Sequence, residues 1–277
     1  MKSKRGFTLI ELLAVIVILA IIALISVPMI LKYIENSKKE SFERSIDSIE
    51  IATELKVIAL ENQGEIIYPK TINITELDVK NKDKLIGTVT IYKDDNGKYD
   101  YTYNITNGDY TINGSKDDEV KKDQPILTLK TKNGIIDDKN NYIYSYMTQD
   151  DFDNMEIWEL DCFFEAINGT LEFTNKTEYG YTTGSNIILK DKNNKVIKEY
   201  TVIIFGDIDR DAYIDVTDYY ALRDDMISNS NLDAYDKYQI FAADVNGDGN
   251  LDQKDAQLLL SATFSFCWDQ TTRLQCK

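Results

Sequence analysis

Two stretches near the carboxyl end of the sequence carry oxygen-bearing side chains at the same spacing. In residues 207–218 and again in residues 244–255, donors stand at positions 1, 3, 5, 9 and 12 of a twelve-residue loop. Ca²⁺ prefers oxygen ligands in this alternation, closed by a final carboxylate. The spacing therefore predicts two calcium loops. Their ligands would be Asp207, Asp209, Asp211, the carbonyl of Tyr213, Asp215 and Asp218 in the first loop, and Asp244, Asn246, Asp248, Asn250, Asp252 and Asp255 in the second.

The two loops differ at position 6, where the first has Ala212 and the second has Gly249. A glycine there permits the positive φ that a sharp turn requires, whereas alanine strains it. We therefore expect the second loop to bind calcium more tightly, although the first has five carboxylates against four. An acidic turn exposed to solvent, without a metal, is the alternative for either loop.

Each loop is followed by one apolar-periodic helix, and each has Asp at position 12, so residues 206–263 resemble a type I dockerin. The resemblance implies a small helical module that docks onto a cohesin-like protein through loop positions 10 and 11. Those positions hold Val216 and Thr217 in one loop and Gln253 and Lys254 in the other. Because the two pairs differ, the near-symmetric docking surface of the family is missing. A calcium-locked structural module remains an equal alternative.

The composition excludes several classes of function. The chain of 277 residues has a net charge of −16 and no histidine, so triads and metal centres that need imidazole are excluded. A negative charge of this size repels phosphate, which argues against a nucleic-acid partner. No nucleophile–base pair or separated acid–base pair is found either, so we expect a protein that is not an enzyme.

The three cysteines, Cys162, Cys267 and Cys276, leave alternatives open. Cys267 and Cys276 could close a disulfide across the tail, with Cys162 left over. Three thiolates with a carboxylate or water could instead hold Zn²⁺. Free thiols are the third possibility, and the spacing does not decide among them.

The amino-terminal segment can cross a membrane. Residues 1–6 are basic, and Phe7 to Val27 is apolar apart from Thr8, Glu11 and Ser26. About 20 residues of helix span a bilayer of ~30 Å, with the basic end in the cytoplasm. A secretory signal peptide fits poorly because the stretch is long and lacks a small-x-small cleavage site. A carboxylate at Glu11 argues against a plain anchor, because a charge in lipid is costly and generally functional.

Residues 4–16, Lys-Arg-Gly-Phe-Thr-Leu-Ile-Glu-Leu-Leu-Ala-Val-Ile, resemble the leader and first helix of type IV prepilins. The resemblance implies that a prepilin peptidase cuts after Gly6 and methylates the new terminus at Phe7. It also implies that Glu11 neutralises the terminal ammonium of a neighbouring subunit, which a charge isolated in lipid requires. Pro28 matches a proline that kinks the helix in many members.

The predicted elements give an α+β fold. A helix over residues 8–62 is expected to pack on an antiparallel sheet, whose hairpins turn at Asn96-Gly97 and Asn107-Gly108. A second β-rich module is expected to contain a helix from about Thr148 to Ile167. The predicted order is a cleaved leader (1–6), pilin helix and head (7–115), linker (116–124), β-rich module (125–205), dockerin-like calcium module (206–263) and tail (264–277).

Together these patterns predict a structural subunit of a bacterial type IV pilus, a minor pilin whose enlarged head serves adhesion or interaction. It would enter the cytoplasmic membrane and then reach the cell surface in the pilus. Its partners would be prepilin peptidase and other pilin subunits, and at the surface a host surface, a glycan or a cohesin-like protein. A calcium-dependent docking module and a type II secretion pseudopilin are the alternatives.

Overall fold

The computed structural model describes residues 9–63, 68–94, 96–130, 134–144, 163–175, 177, 180–228 and 231–265. Its contacts divide the chain into two compact units, residues 1–47 and 48–277. Helix α1, Leu9–Gln63, runs through both units and contains Pro28. Its bounds agree with the predicted helix within one residue. Four of its apolar side chains are buried, namely Phe42, Ile46, Ile49 and Val57.

The first sheet has five antiparallel strands in the order β1-β2-β3-β4-β5. Tight turns at both predicted Asn-Gly pairs connect β2 to β3 and β3 to β4, since a short Asn-Gly connection suits the twist of a hairpin. Within unit 48–277, Glu50 and Glu61 of α1 form ion pairs with Lys116 and Lys93 beside this sheet. The strands are β1 Lys70–Asn73, β2 Ile86–Lys93, β3 Tyr99–Thr106, β4 Tyr110–Gly114 and β5 Lys121–Lys122.

A second five-stranded sheet has the order β10-β11-β12-β8-β7, and β6 pairs separately with β9. The pair β12–β8 is parallel, whereas the others in this sheet are antiparallel. Alternate residues of β11 and β12 point into one core that includes Ile187, Leu189, Tyr200 and Val202. The strands are β6 Ile126–Leu129, β7 Ile135–Asp137, β8 Tyr142–Tyr144, β9 Phe164–Ile167, β10 Thr170–Thr174, β11 Asn186–Lys190 and β12 Val196–Ile203.

The structure corrects the helix predicted to end at Ile167. Residues 164–167 form β9, which pairs antiparallel with β6 from Ile126↔Ile167 to Leu129↔Phe164. This pairing satisfies the backbone and buries Phe164, so tertiary contacts override the local helical pattern. The earlier part of that helix lies outside the described residues. Strand β5 lies within the segment predicted as a linker.

Hydrogen bonds join the first sheet to strands β6 and β7, which belong to the other two sheets. Thr90 in β2 donates through Oγ1 to the carbonyl of Ile136 at 2.8 Å, and the amide of Ile136 donates to Oγ1 of Thr71 at 3.1 Å. Asn73 Nδ2 donates to the carbonyl of Leu129 at 3.1 Å. Backbone groups of β6 and β7 are therefore satisfied by side chains of the first sheet.

The carboxyl-terminal part is helical. Its elements are α2 Val216–Tyr220, a π-helical turn Ala221–Ser228, α3 Lys237–Ala243 and α4 Gln253–Ser265. Two clusters hold it in place. One is its own core, around Ile208, Leu222 and Leu259. The other is an aromatic cluster in which Phe241 of α3 contacts Tyr142, Tyr144 and Phe205, with ring centroids 5.4–5.7 Å apart.

Candidate functional site

The first twelve-residue loop folds around its last residue, Asp218. Oδ1 of Asp218 accepts hydrogen bonds from the amides of Ile208 and Asp209 at 2.7 and 3.1 Å, and Oδ2 accepts from Asp215 at 2.9 Å. Asp209, Asp211 and Asp215 each accept from the amide two residues further on, at 3.2, 2.8 and 2.7 Å. The side chain of position 12 therefore ties the start of the loop to its end.

The second loop repeats most of these contacts at the equivalent positions; the amide of Val245, which corresponds to Ile208, donates to the carbonyl of Ala243. Oδ1 of Asp255 accepts from the amide of Asn246 at 3.2 Å, and Oδ2 accepts from Asp252 at 3.0 Å. Asn246, Asp248 and Asp252 accept from the amide two residues further on, at 2.7, 2.9 and 2.7 Å. The two loops thus share one pattern of hydrogen bonds.

The two loops also place positive φ angles at the same positions. Position 4 has φ 67° at Arg210 and 77° at Gly247, and position 6 has φ 75° at Ala212 and 82° at Gly249. The left-handed conformation costs a residue with a Cβ about 1–2 kcal/mol. The first loop therefore adopts the glycine conformation twice without a glycine, so it carries the strain that Ala212 suggests from sequence.

The first loop concentrates negative charge. Carboxylate oxygens of Asp207, Asp209 and Asp211 all lie within 4.8 Å of one another. Burial raises the pKa of Asp207 to about 7, and the charges of Asp209 and Asp211 act in the same direction. Burial also raises the pKa of Asp218 to about 8. Carboxylates and amide oxygens are donors that suit Ca²⁺, and a divalent cation would offset the cost of this buried charge. The donor set therefore fits the ion.

Two residues that sequence reasoning missed fix the first loop against its surroundings. The amide of Thr183 donates to Oδ2 of Asp207 at 2.8 Å. Arg210 forms an ion pair with Asp236, which caps the amino terminus of α3. No sequence signal marks Thr183, which lies 24 residues from its partner. Arg210 stands at the position of Gly247 in the repeat, and that alignment could have identified it as unusual.

The residues at loop positions 10 and 11 are exposed. Val216, Thr217, Gln253 and Lys254 all lie on the surface at the start of α2 or α4. Thr217 donates through Oγ1 to Asp209 at 2.8 Å, and Lys254 forms ion pairs with Asp248 and Asp252, so two of them contact their own loop. The segments that follow the two loops contribute to one core, which includes Leu222 and Leu259.

The first part of α1 is apolar and exposed. Its most apolar 18-residue window has a mean hydropathy of 3.1 and is not buried within the molecule. Length and composition are sufficient for this helix to cross a membrane. Glu11 lies in the first turn of the helix and is exposed, within this apolar surface. Gly6, Phe7, Cys162, Cys267 and Cys276 lie outside the described residues.

Residues 1–27 match the family described as "Prokaryotic N-terminal methylation motif". No solved structure matches the chain. The motif supports a type IV pilin or pseudopilin subunit, a structural role, and it implies processing by prepilin peptidase and assembly with other pilin subunits. It fits a protein that is first anchored in the membrane and then exposed on a pilus.

Proposed function

We propose that the chain is a minor pilin of a bacterial type IV pilus, whose enlarged head carries a calcium-stabilised module for adhesion or interaction. The observation that carries this proposal is the methylation motif at residues 1–27, which continues into an exposed apolar helix containing Glu11. The size of the folded unit 48–277 supports the enlarged head and favours a pilin over a pseudopilin of type II secretion.

Assembly would proceed through α1. Cleavage after Gly6 exposes a new ammonium at Phe7, and the carboxylate of Glu11 in a neighbouring subunit neutralises it. A carboxylate at the bilayer centre costs about 2.5–3.5 kcal/mol on insertion scales, and pairing with an ammonium recovers part of that energy only when subunits stack. The charge therefore favours transfer from the membrane into the fibre.

Substitution of Glu11 tests the assembly step. We expect Glu11→Ala to leave export and leader cleavage intact and to reduce incorporation into sheared pili strongly, because the ammonium loses its partner. Glu40→Ala is the matched control, since Glu40 is an exposed carboxylate further along the same helix. Normal incorporation of Glu11→Ala would overturn the assembly proposal. Intact mass should show the loss of residues 1–6 in all three proteins.

We further propose that both loops bind Ca²⁺ and that the calcium-bound module is structural. Its donors are the twelve residues named above, and the shared hydrogen bonds of Asp218 and Asp255 support equivalent roles. When bound, the ion would supply the positive charge that offsets the repulsion among the carboxylates of each loop. Asp207 and Asp218 would be held ionised by it, and their backbone contacts would keep the loop closed.

Docking onto a cohesin-like protein is the second candidate, and the exposure of Val216, Thr217, Gln253 and Lys254 favours it. Calcium-dependent capture of a cohesin domain by the purified chain, lost when Val216 and Thr217 are replaced by Asp, would support docking. Calcium that raises the melting temperature without any capture would support the structural role.

A further inference from the structure

A buried polar cluster lies between the first and second five-stranded sheets and contains the side chains of Asp138, Lys198 and Asn104. Asp138, in the turn after β7, forms an ion pair with Lys198 of β12, whose Nζ lies 2.5 Å from Oδ1. Asn104 of β3 donates through Nδ2 to Oδ2 of the same carboxyl group. The hydroxyl of Tyr200 donates to Oδ1 at 2.8 Å. One carboxyl group therefore contacts an amine and a carboxamide from strands of different sheets.

The burial of this group is unusual for its polarity. The side chain of Asp138 is 3% exposed and that of Lys198 is 21% exposed. Asn104 is 1% exposed, and its Oδ1 has no hydrogen-bond partner in the part of the chain that the structure describes. Burying an ion pair costs desolvation energy, and an unsatisfied carbonyl oxygen adds to that cost. A chemical change that removes both charges would relieve the desolvation cost of the ion pair.

We propose that Lys198 and Asn104 become joined by an intramolecular isopeptide bond, formed on the carboxyl group of Asp138. Amide and amine already lie on the two oxygens of one carboxyl group, so the reaction is intramolecular and gains from proximity. Asp138 contacts both reacting groups and acts as the catalytic acid–base.

The reaction balances without an oxidant or any co-reactant. Asp138 takes a proton from the Lys198 ammonium, and the neutral Nζ attacks Cγ of Asn104. The bond from Nζ to Cγ forms, and the bond from Cγ to Nδ2 breaks as Asp138 returns its proton to Nδ2. Neutral ammonia leaves, and Asp138 takes up the second proton of Nζ, so that neither side chain carries a charge in the product. Lys198 also lines an open cavity of about 350 Å³.

Peptide mapping of the full chain tests the proposal directly. The chain is extracted from membranes in detergent, denatured and digested with trypsin. We expect a branched peptide in which residues 99–116 are joined to residues 196–210, uncut at Lys198, with a mass lower than their sum by one ammonia. Two separate linear peptides with cleavage after Lys198 would overturn the proposal. A branch at Asp138 with loss of water would overturn it too.

Variants test the roles of Lys198 and Asp138. Lys198→Arg and Asp138→Asn should abolish the branched peptide, whereas Lys190→Arg, on the neighbouring strand, should retain it. Persistence of the branch in Asp138→Asn would overturn the catalytic role of Asp138. Far-UV circular dichroism establishes that each variant is folded, and the wild-type digest decides the existence of the bond without any variant.

Discussion

Ala212 holds a strained backbone conformation in the first loop. Its φ of 75° is the angle that Gly249 adopts at the same position of the second loop, where a Cβ would meet no atom within 4 Å. The difference between the loops at this position is therefore conformational. Relief of this strain in the first loop and its introduction in the second are opposite and matched changes.

Exchange of Ala212 and Gly249 should change the calcium affinities of the two loops in opposite directions. Ala212→Gly should strengthen calcium binding at the first loop by about 1 kcal/mol, or about fivefold, and Gly249→Ala should weaken the second loop by a similar factor. Isothermal titration of the purified chain with calcium measures both affinities. Unchanged calcium affinities in both variants would contradict the prediction, because the strain at position 6 would then have no effect on binding.

Glu61 is the residue through which α1 responds to acid. Hydrogen bonds from Lys93, Tyr99 and Tyr68 lower the pKa of Glu61 to about 2, with the contact to Lys93 the largest effect. Folding favours the carboxylate form of Glu61. Its contribution to the stability of the fold is therefore complete above the ordinary pKa of about 4.5. It is lost as the pH falls through about 2.

We therefore predict that Glu61→Gln reduces the melting temperature at neutral pH and reduces the acid sensitivity between pH 4.5 and 2. Thermal denaturation across this range, followed by circular dichroism, measures the effect. Glu172→Gln removes an exposed strand pair with Lys190 and is the control. Parallel pH profiles for wild type and Glu61→Gln would contradict the prediction.

At the scale of elements, the β2–β3 hairpin depends on one glycine. Gly87 has φ 135°, and a Cβ there would lie 1.8 Å from the carbonyl oxygen of Asn104 in β3. Backbone of the partner strand cannot yield as a flexible side chain does. The close approach of β2 to β3 therefore excludes any side chain at this position.

Gly87→Ala should destabilise the fold by about 3 kcal/mol, from steric overlap and backbone strain. Gly108→Ala is the matched control, because Gly108 also has positive φ but a Cβ would meet nothing within 4 Å. Its cost should be about 1 kcal/mol. Urea denaturation gives both values, and equal midpoints for the two variants would show that the overlap is relieved by movement.

The elements that the sequence predicts well are those set by local rules. The bounds of α1 follow from its apolar run, and the first hairpins follow from Asn-Gly turns. The loop contacts follow from a 37-residue repeat. The helix predicted to end at Ile167 was wrong at residues 164–167, because these residues form β9, whose partner β6 lies about 40 residues earlier. The parallel pair β12–β8 has no local signal either. The contacts of Asp138 with Asn104 and Lys198 span 34 and 60 residues and were equally invisible.

At the scale of the whole unit 48–277, the aromatic cluster links the loops to the second sheet. Phe241 lies in α3, which ends directly before Asp244, and it contacts Tyr142 and Tyr144 of β8. Aromatic pairs contribute about 0.5–1.5 kcal/mol beyond their buried area. A change in the second loop is therefore coupled to the sheet through packed rings.

Removal of calcium should consequently lower the melting temperature of the sheets as well as that of the loops. Two sites at 100 times their Kd would each contribute about 2.7 kcal/mol. Near-UV circular dichroism reports tyrosines such as Tyr142 and Tyr144, and far-UV signal reports the sheets. Chelator followed by excess calcium is the reversal control. The same far-UV melting temperature with and without chelator would show that the stability of the sheets does not depend on the loops.

The outer strand of the first sheet has a consequence for crowding. Strand β5 consists of Lys121 and Lys122 alone, and both are exposed. Long, flat edges offer unpaired N–H and C=O groups to another chain, whereas short edges with lysines repel such pairing. In a pilus, the heads of neighbouring pilin subunits would lie close together. A short edge with two lysines would disfavour pairing between the sheets of neighbouring heads, so that close packing of subunits would not lead to fused sheets.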